Sequence, residues 1–175
     1  MKFKNSLILG GCRSGKSSHA LALANQVSGN RKIFMATSVP TDGEMQERVD
    51  KHIKERGASW QTAEVPVDIP EKIERLAPDV DVILVDCLTL WVSNLLFNGF
   101  DTQGIMDKTR LLTTVLQKSA CPVIMVSNEV GSGIVPENAL ARKFRDMAGF
   151  VNQRVAAASD RVILVVAGIP MEIKS

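Results

Sequence analysis

Tyrosine is absent and aromatic residues make up 5% of the 175 residues, six Phe and two Trp. Little is left for base-stacking platforms or carbohydrate-facing surfaces, so the core must be largely aliphatic. Histidine occurs twice and cysteine three times. Cys12, Cys87 and Cys121 stand at unrelated spacings with no C-x-x-C pair and no His cluster to complete a zinc site. Reduced thiols in a cytoplasmic protein fit this usage best. No apolar run approaches the roughly 20 residues that span a bilayer. The stretch from Ser6 to Leu9 is also too short for the apolar region of a secretion signal. Charge of one sign is missing as well: 21 Lys and Arg against 19 Asp and Glu leave +2 with no block of either kind. Neither a nucleic acid nor a membrane partner is indicated.

What is present is ordinary for a globular chain, 45% hydrophobic and 23% charged. The length and composition predict one domain over residues 1–175. Periodicity predicts a strand at Ser6 to Leu9, a helix from Lys16 through Val27 and a strand at Lys32 to Ala36. A helix is expected from Asp42 to Arg56, an extended piece at Trp60 to Val65, and a helix opened by Asp68 and Pro70 and closed by Pro78. Val82 to Asp86 is continuous and β-branched, as in a central parallel strand covered on both faces. Helices at Leu88 to Phe97 and Asp101 to Lys118, a strand at Pro122 to Val126, a helix from Pro136 to Ser159 broken near Gly149, and a strand at Arg161 to Ala167 complete the pattern. Alternating strands and helices predict an α/β fold with a mostly parallel sheet flanked by helices.

Gly10-Gly11-Cys12-Arg13-Ser14-Gly15-Lys16-Ser17 matches G-x-x-x-x-G-K-S between a buried strand and a helix. Its glycines let consecutive N–H groups turn inward on a phosphate chain, and the helix N-terminus adds partial positive charge. Lys16 would reach the β- and γ-phosphates, and the Ser17 hydroxyl would bind a magnesium ion bridging the same oxygens. Asp86, at the carboxyl end of the strongest strand, is the natural second oxygen donor to that metal. These features alone define a phosphate-loop nucleotide-binding protein, with kinases, GTPases and motors all open. The guanine-reading N-K-x-D motif of regulatory GTPases is absent.

His19 carries no assigned role. In the helix expected from Asp42 to Arg56, Arg48, His52 and Arg56 recur at i, i+4 and i+8 and share one face. Two guanidinium groups beside an imidazole could hold a triphosphate while the neutral ring attacks its α-phosphorus. By spacing alone, a solvated histidine on a charged surface helix is the commoner case.

The whole pattern resolves the choice. The loop G-G-C-R-S-G-K-S, then Arg48-Val49-x-x-His52-x-x-x-Arg56-x-x-x-Trp60-x-Thr62-x-Glu64, then Asn128-Glu129-Val130-Gly131-Ser132-Gly133-Ile134-Val135-Pro136-Glu137-Asn138, resemble the bifunctional adenosylcobinamide kinase and adenosylcobinamide-phosphate guanylyltransferase family. Ala141 to Asp146, Gly149, Asn152 and Gln153 continue the resemblance, which covers essentially the whole chain.

The resemblance implies a phosphate-loop NTPase fold of the RecA-like kind and two reactions of cobalamin biosynthesis. ATP or GTP would phosphorylate adenosylcobinamide, and GTP would then give its GMP to adenosylcobinamide phosphate through a guanylylated His52, releasing pyrophosphate. Nucleotide contacts carried over by motif fall on Gly10, Gly11, Cys12, Arg13, Ser14, Gly15, Lys16 and Ser17, on Thr37, Ser38 and Val39, on Ile53, Lys54, Glu55 and Arg56, and on Glu64 and Asp86. Glu64 and Asp86 suit either guanine N–H donors or Mg2+. Asp86 departs from the family, where Glu is usual. Asn128 to Asn138 has the shape of a corrinoid-facing loop, with a structural turn and helix cap as the alternative. A single-activity small-molecule kinase, with His52 a bystander, is the second reading. A homotrimer is the assembly the resemblance implies.

Overall fold

In a computed structural model of the chain, residues 4–38, 57 and 59–175 are described. The expected helix from Asp42 to Arg56 lies outside them, and with it Arg48, His52, Ile53, Lys54, Glu55 and Arg56; Val39 does too.

Seven strands form one sheet: β1 (Asn5–Gly10), β2 (Lys32–Ala36), β3 (Trp60–Glu64), β4 (Val82–Asp86), β5 (Val123–Asn128), β6 (Arg161–Val166) and β7 (Ile169–Lys174). Their order is β3-β2-β4-β5-β1-β6-β7, parallel except for β7, which is antiparallel to β6. The described helices are α1 (Lys16–Asn25), α2 (Ile69–Leu76), α3 (Leu88–Phe97), α4 (Thr102–Lys118) and α5 (Ala139–Ala158).

Alternation along each central strand feeds two cores. Leu7, Leu9, Ile83, Val85, Val123 and Met125 pack with α2 to α5, whereas Ile8, Val82, Leu84, Ile124 and Val126 pack with α1. Trp91 is fully buried, and its indole N–H donates to Val67 O at 2.6 Å, satisfying the one polar atom it carries inside. Lys32 is buried too: its ammonium donates to the Asn25 carbonyl at 3.3 Å, at the C-terminal end of α1, where a cation meets the negative end of the helix.

Three expectations are corrected. The helix expected from Pro136 starts at Ala139, because Asn138 caps it, accepting the Ala141 N–H at 3.0 Å. It does not break at Gly149. A single helical glycine costs about 1 kcal/mol, and Ala148, Val151 and Val155 on either side of it are buried. The chain also does not end its regular structure with β6. Ala167 (φ 51°) and Gly168 (φ 82°) make a two-residue turn into β7, the positive-φ pair that matches the twist of paired strands.

Candidate functional site

The carboxyl ends of the parallel strands meet at one edge of the sheet, where open α/β proteins bind ligands. β1 is buried along its full length and delivers Gly10 there. A Cβ on Gly10 would lie 2.6 Å from Val165 O and would also collide with Ser14 Oγ, so only glycine fits. The loop then turns through left-handed conformations at Arg13 (φ 55°) and Gly15 (φ 92°), with Ser14 N–H donating to Gly11 O at 3.3 Å. Ser14 is buried, and its hydroxyl has no partner. Gly11, Cys12, Arg13 and Gly15 are exposed, while Lys16 and Ser17 are half-buried.

α1 begins directly after this turn with no side-chain cap and no acidic residue in its first turn. Its first N–H groups and positive dipole end are thus available to an anion. Lys16 folds back over the loop and donates through Nζ to Gly11 O at 3.1 Å. The β6–β7 turn supports the loop from behind: Gly168 N–H donates to Ser14 O at 2.8 Å, and a Cβ on Gly15 would come within 3.3 Å of Gly168 Cα.

Ala36 at the end of β2 is in register with Glu64 of β3 and Asp86 of β4. The two carboxylate residues therefore flank β2, about 10 Å apart across two strand spacings. Glu64 is exposed and Asp86 half-buried. Thr37 is fully buried, and its hydroxyl accepts from Cys87 N–H at 2.7 Å and donates to Cys87 O at 2.9 Å. It clasps the turn that follows Asp86. Ser38 beside it is half-buried. Burial and the Asp86 charge push the Cys87 thiol up to about 11, so it stays protonated and inert at neutral pH. Cys12 is the exposed thiol of the three.

Among the described residues no cluster of three or more His, Cys, Asp or Glu could hold a metal ion. A hydroxyl from Ser17 and a carboxylate from Asp86 are hard oxygen donors; with phosphate oxygens and water they suit Mg2+ rather than a softer ion.

The second loop of this edge runs from Asn128 to Asn138. Glu129 N–H donates to Gly10 O at 3.1 Å, which joins it to the start of the phosphate loop. α5 holds it in place: Asn152 Nδ2 donates to Asn128 O at 3.1 Å, Arg145 to Gly131 O at 2.5 Å, and Arg142 to the carbonyls of Pro136 and Glu137. Ile134 is 97% exposed and Val135 64%. These two residues give the loop an exposed apolar tip. Between α3 and the start of α5, Leu96, Phe97, Leu140 and Phe144 line a mainly apolar cavity of about 230 Å³.

The fold brings together Gly10 to Ser17, Thr37, Ser38, Glu64 and Asp86 at one edge. Sequence reasoning missed the anchoring by Arg145 and Asn152 and the support by Gly168. The Ala-Gly pair after a strand, followed by alternating Ile169, Met171 and Ile173, was the available signal for the last.

The sequence profile of the CobU family, described as cobinamide kinase / cobinamide phosphate guanyltransferase, matches residues 6–173. The bifunctional adenosylcobalamin biosynthesis protein CobU of Salmonella typhimurium is 45% identical over 181 residues, an alignment covering 96% of this chain and 98% of that protein. The bifunctional adenosylcobalamin biosynthesis protein CobP of Pseudomonas aeruginosa is 41% identical over 168 residues, covering 96% of each. In fold alone, the crystal structure of flagellar accessory protein FlaH from Methanocaldococcus jannaschii is similar, with a TM-score of 0.53 at 14% identity over 98% of this chain and 78% of that one. The sheet order, the loop between β1 and α1 and this likeness identify a RecA-like phosphate-loop NTPase fold, and the chain belongs to the cobinamide kinase / cobinamide phosphate guanyltransferase family.

Proposed function

We propose that this protein carries out both reactions of its family at one nucleotide site: phosphorylation of the aminopropanol hydroxyl of adenosylcobinamide by ATP or GTP, then transfer of GMP from GTP to that phosphate. The product would be adenosylcobinamide-GDP, with pyrophosphate released. The observation that carries the reading is the phosphate loop itself: backbone N–H groups, the uncapped start of α1 and Lys16 converge at the end of β1.

In the kinase step Lys16 would leave the Gly11 carbonyl for the β- and γ-phosphates, where it neutralises developing charge. Ser17 and Asp86 would hold Mg2+, which supplies further charge neutralisation when bound. Thr37 would act through the turn it clasps, by fixing where Asp86 ends. Glu64, exposed two strands from Asp86, is free to read guanine N–H donors, and Ser38 lies between them on β2's extension.

In the transfer step His52 would attack the α-phosphorus, forming a P–N bond as pyrophosphate leaves, and the corrinoid phosphate would then displace the histidine. Arg48 and Arg56 would balance charge beside it, with Val39, Ile53, Lys54 and Glu55 completing the nucleotide contacts. The loop from Asn128 to Asn138 would face the corrinoid. Its exposed Ile134 and Val135 suit the apolar face of a corrin macrocycle. No described helix is long and apolar enough to cross a membrane. A cytoplasmic homotrimer is the assembly and location that go with this reading.

Incubation with GTP labelled at the α-phosphate tests it. Acid-labile, alkali-stable label on the wild type, lost in His52→Ala, is the expected result. Label-free wild type that still phosphorylates adenosylcobinamide would leave only the kinase.

A further inference from the structure

Two acidic residues at the carboxyl edge, Glu64 and Asp86, have roles in the reading above. A third, Glu129, opens the loop proposed to face the corrinoid but has no chemical role there. β5 lies between β4, which carries Asp86, and β1, which feeds the phosphate loop. The residue just past its end therefore stands between the strand end that carries Asp86 and the strand end that feeds the phosphate loop.

Glu129 is held there from three sides. Its N–H donates to Gly10 O at 3.1 Å, its Oε1 accepts the Gly131 N–H at 2.7 Å, and the carbonyl before it, that of Asn128, accepts from Asn152 at 3.1 Å. Arg145 fixes the Gly131 carbonyl in turn. The side chain remains exposed, so an incoming substrate can reach it. An anchored carboxylate next to the first residue of a phosphate loop, at the start of the loop that would face the acceptor, has the placement of a general base.

We propose that Glu129 is the general base of the phosphorylation step; the inference rests on the function proposed above. The acceptor hydroxyl gives its proton to the free carboxylate oxygen of Glu129. Its oxygen forms the new bond to the γ-phosphorus, the bond from that phosphorus to the β–γ bridging oxygen breaks, and the nucleoside diphosphate leaves with the electron pair. Glu129 then returns the proton to solvent. Guanylyl transfer to a ready-made phosphate has no hydroxyl proton to remove and does not use it.

The test compares Glu129→Gln and Glu129→Asp in the full-length protein. Gln keeps an oxygen acceptor of the same reach for the Gly131 N–H but is not a base; Asp remains a base on a shorter arm. A base role orders the phosphorylation kcat as Glu, then Asp, then Gln, with Glu129→Gln lowered about 10²- to 10⁴-fold at nearly unchanged nucleotide KM. At saturating adenosylcobinamide phosphate, guanylyl transfer falls far less than phosphorylation in Glu129→Gln. The opposite order, Gln near wild type and Asp impaired, would assign the side chain to loop geometry and overturn the inference while leaving the function intact. Equal loss of both activities in Glu129→Gln would overturn it as well. A wild type that phosphorylates no corrinoid at all would remove the proposed function, and this inference with it.

Discussion

The two loops at the carboxyl edge are built by opposite means. The phosphate loop is shaped by backbone: glycine where a Cβ would meet Val165 O, left-handed turns at Arg13 and Gly15, and N–H groups left open at the start of α1. The loop from Asn128 to Asn138 is held by side chains reaching from elsewhere, chiefly Arg142, Arg145 and Asn152 of α5. A backbone cradle presents identical donors to any phosphate chain and costs little to reorganise. A loop tied by side chains can instead be reshaped residue by residue, which suits recognition of one particular acceptor.

The largest loss common to both activities should come from Lys16, which folds back over the backbone cradle. Lys16→Ala should lower both activities about 100- to 1,000-fold in kcat, with the thermal midpoint close to wild type. Retention of either activity would mean that the two reactions do not share this loop. Gly10→Ala should come next. It forces a methyl against Val165 O and the Ser14 side chain, and denaturant titration should show a loss of about 1–3 kcal/mol together with weakened nucleotide binding.

Arg145→Ala addresses the other loop. It removes the anchor on the Gly131 carbonyl, so cleavage between Glu129 and Asn138 under limited proteolysis should accelerate while global stability changes by less than about 1 kcal/mol. Nucleotide binding should stay intact. A matching loss of nucleotide affinity would show that the two loops form one unit.

The smallest effect concerns pH. Burial, and after it the Arg161 guanidinium, hold the His19 pKa below its usual 6.5. The unfolded chain then takes up the proton more readily, so this contribution is complete above pH 6.5 and is lost as pH falls below it. Thermal melts of wild type and His19→Gln at about pH 7.5 and about pH 5.5 should show a steeper acid loss for the wild type; parallel losses would exclude His19 as the source.

The same contrast explains what could be read from the chain. The phosphate loop was legible because its motif is contiguous in sequence and Gly15 answers a left-handed turn, and Val82 to Val85 because a strand buried on both faces must be continuously apolar. The hold of α5 on the second loop was not. Arg142, Arg145 and Asn152 look like ordinary polar residues of an amphipathic helix until the fold sets them beside the carbonyls of residues 128–137. β7 escaped for a related reason: Ile169 to Lys174 is exposed throughout and contains a proline, so neither burial nor an uninterrupted strand pattern marks it.

Sequence by itself determined the α/β alternation and the phosphate-loop residues, because those rest on backbone conformation and periodicity, which act over a few neighbours, and its motif blocks together carried the resemblance to the family. Tertiary structure alone decided that β5 separates β4 from β1, and with it that Glu129 touches Gly10, that Thr37 clasps Cys87 across 50 residues, and that the β6–β7 turn supports Ser14. Such contacts depend on strand order and on distant groups pairing in the interior, where an unmet hydrogen bond is costly, and no local spacing encodes which partner will be there.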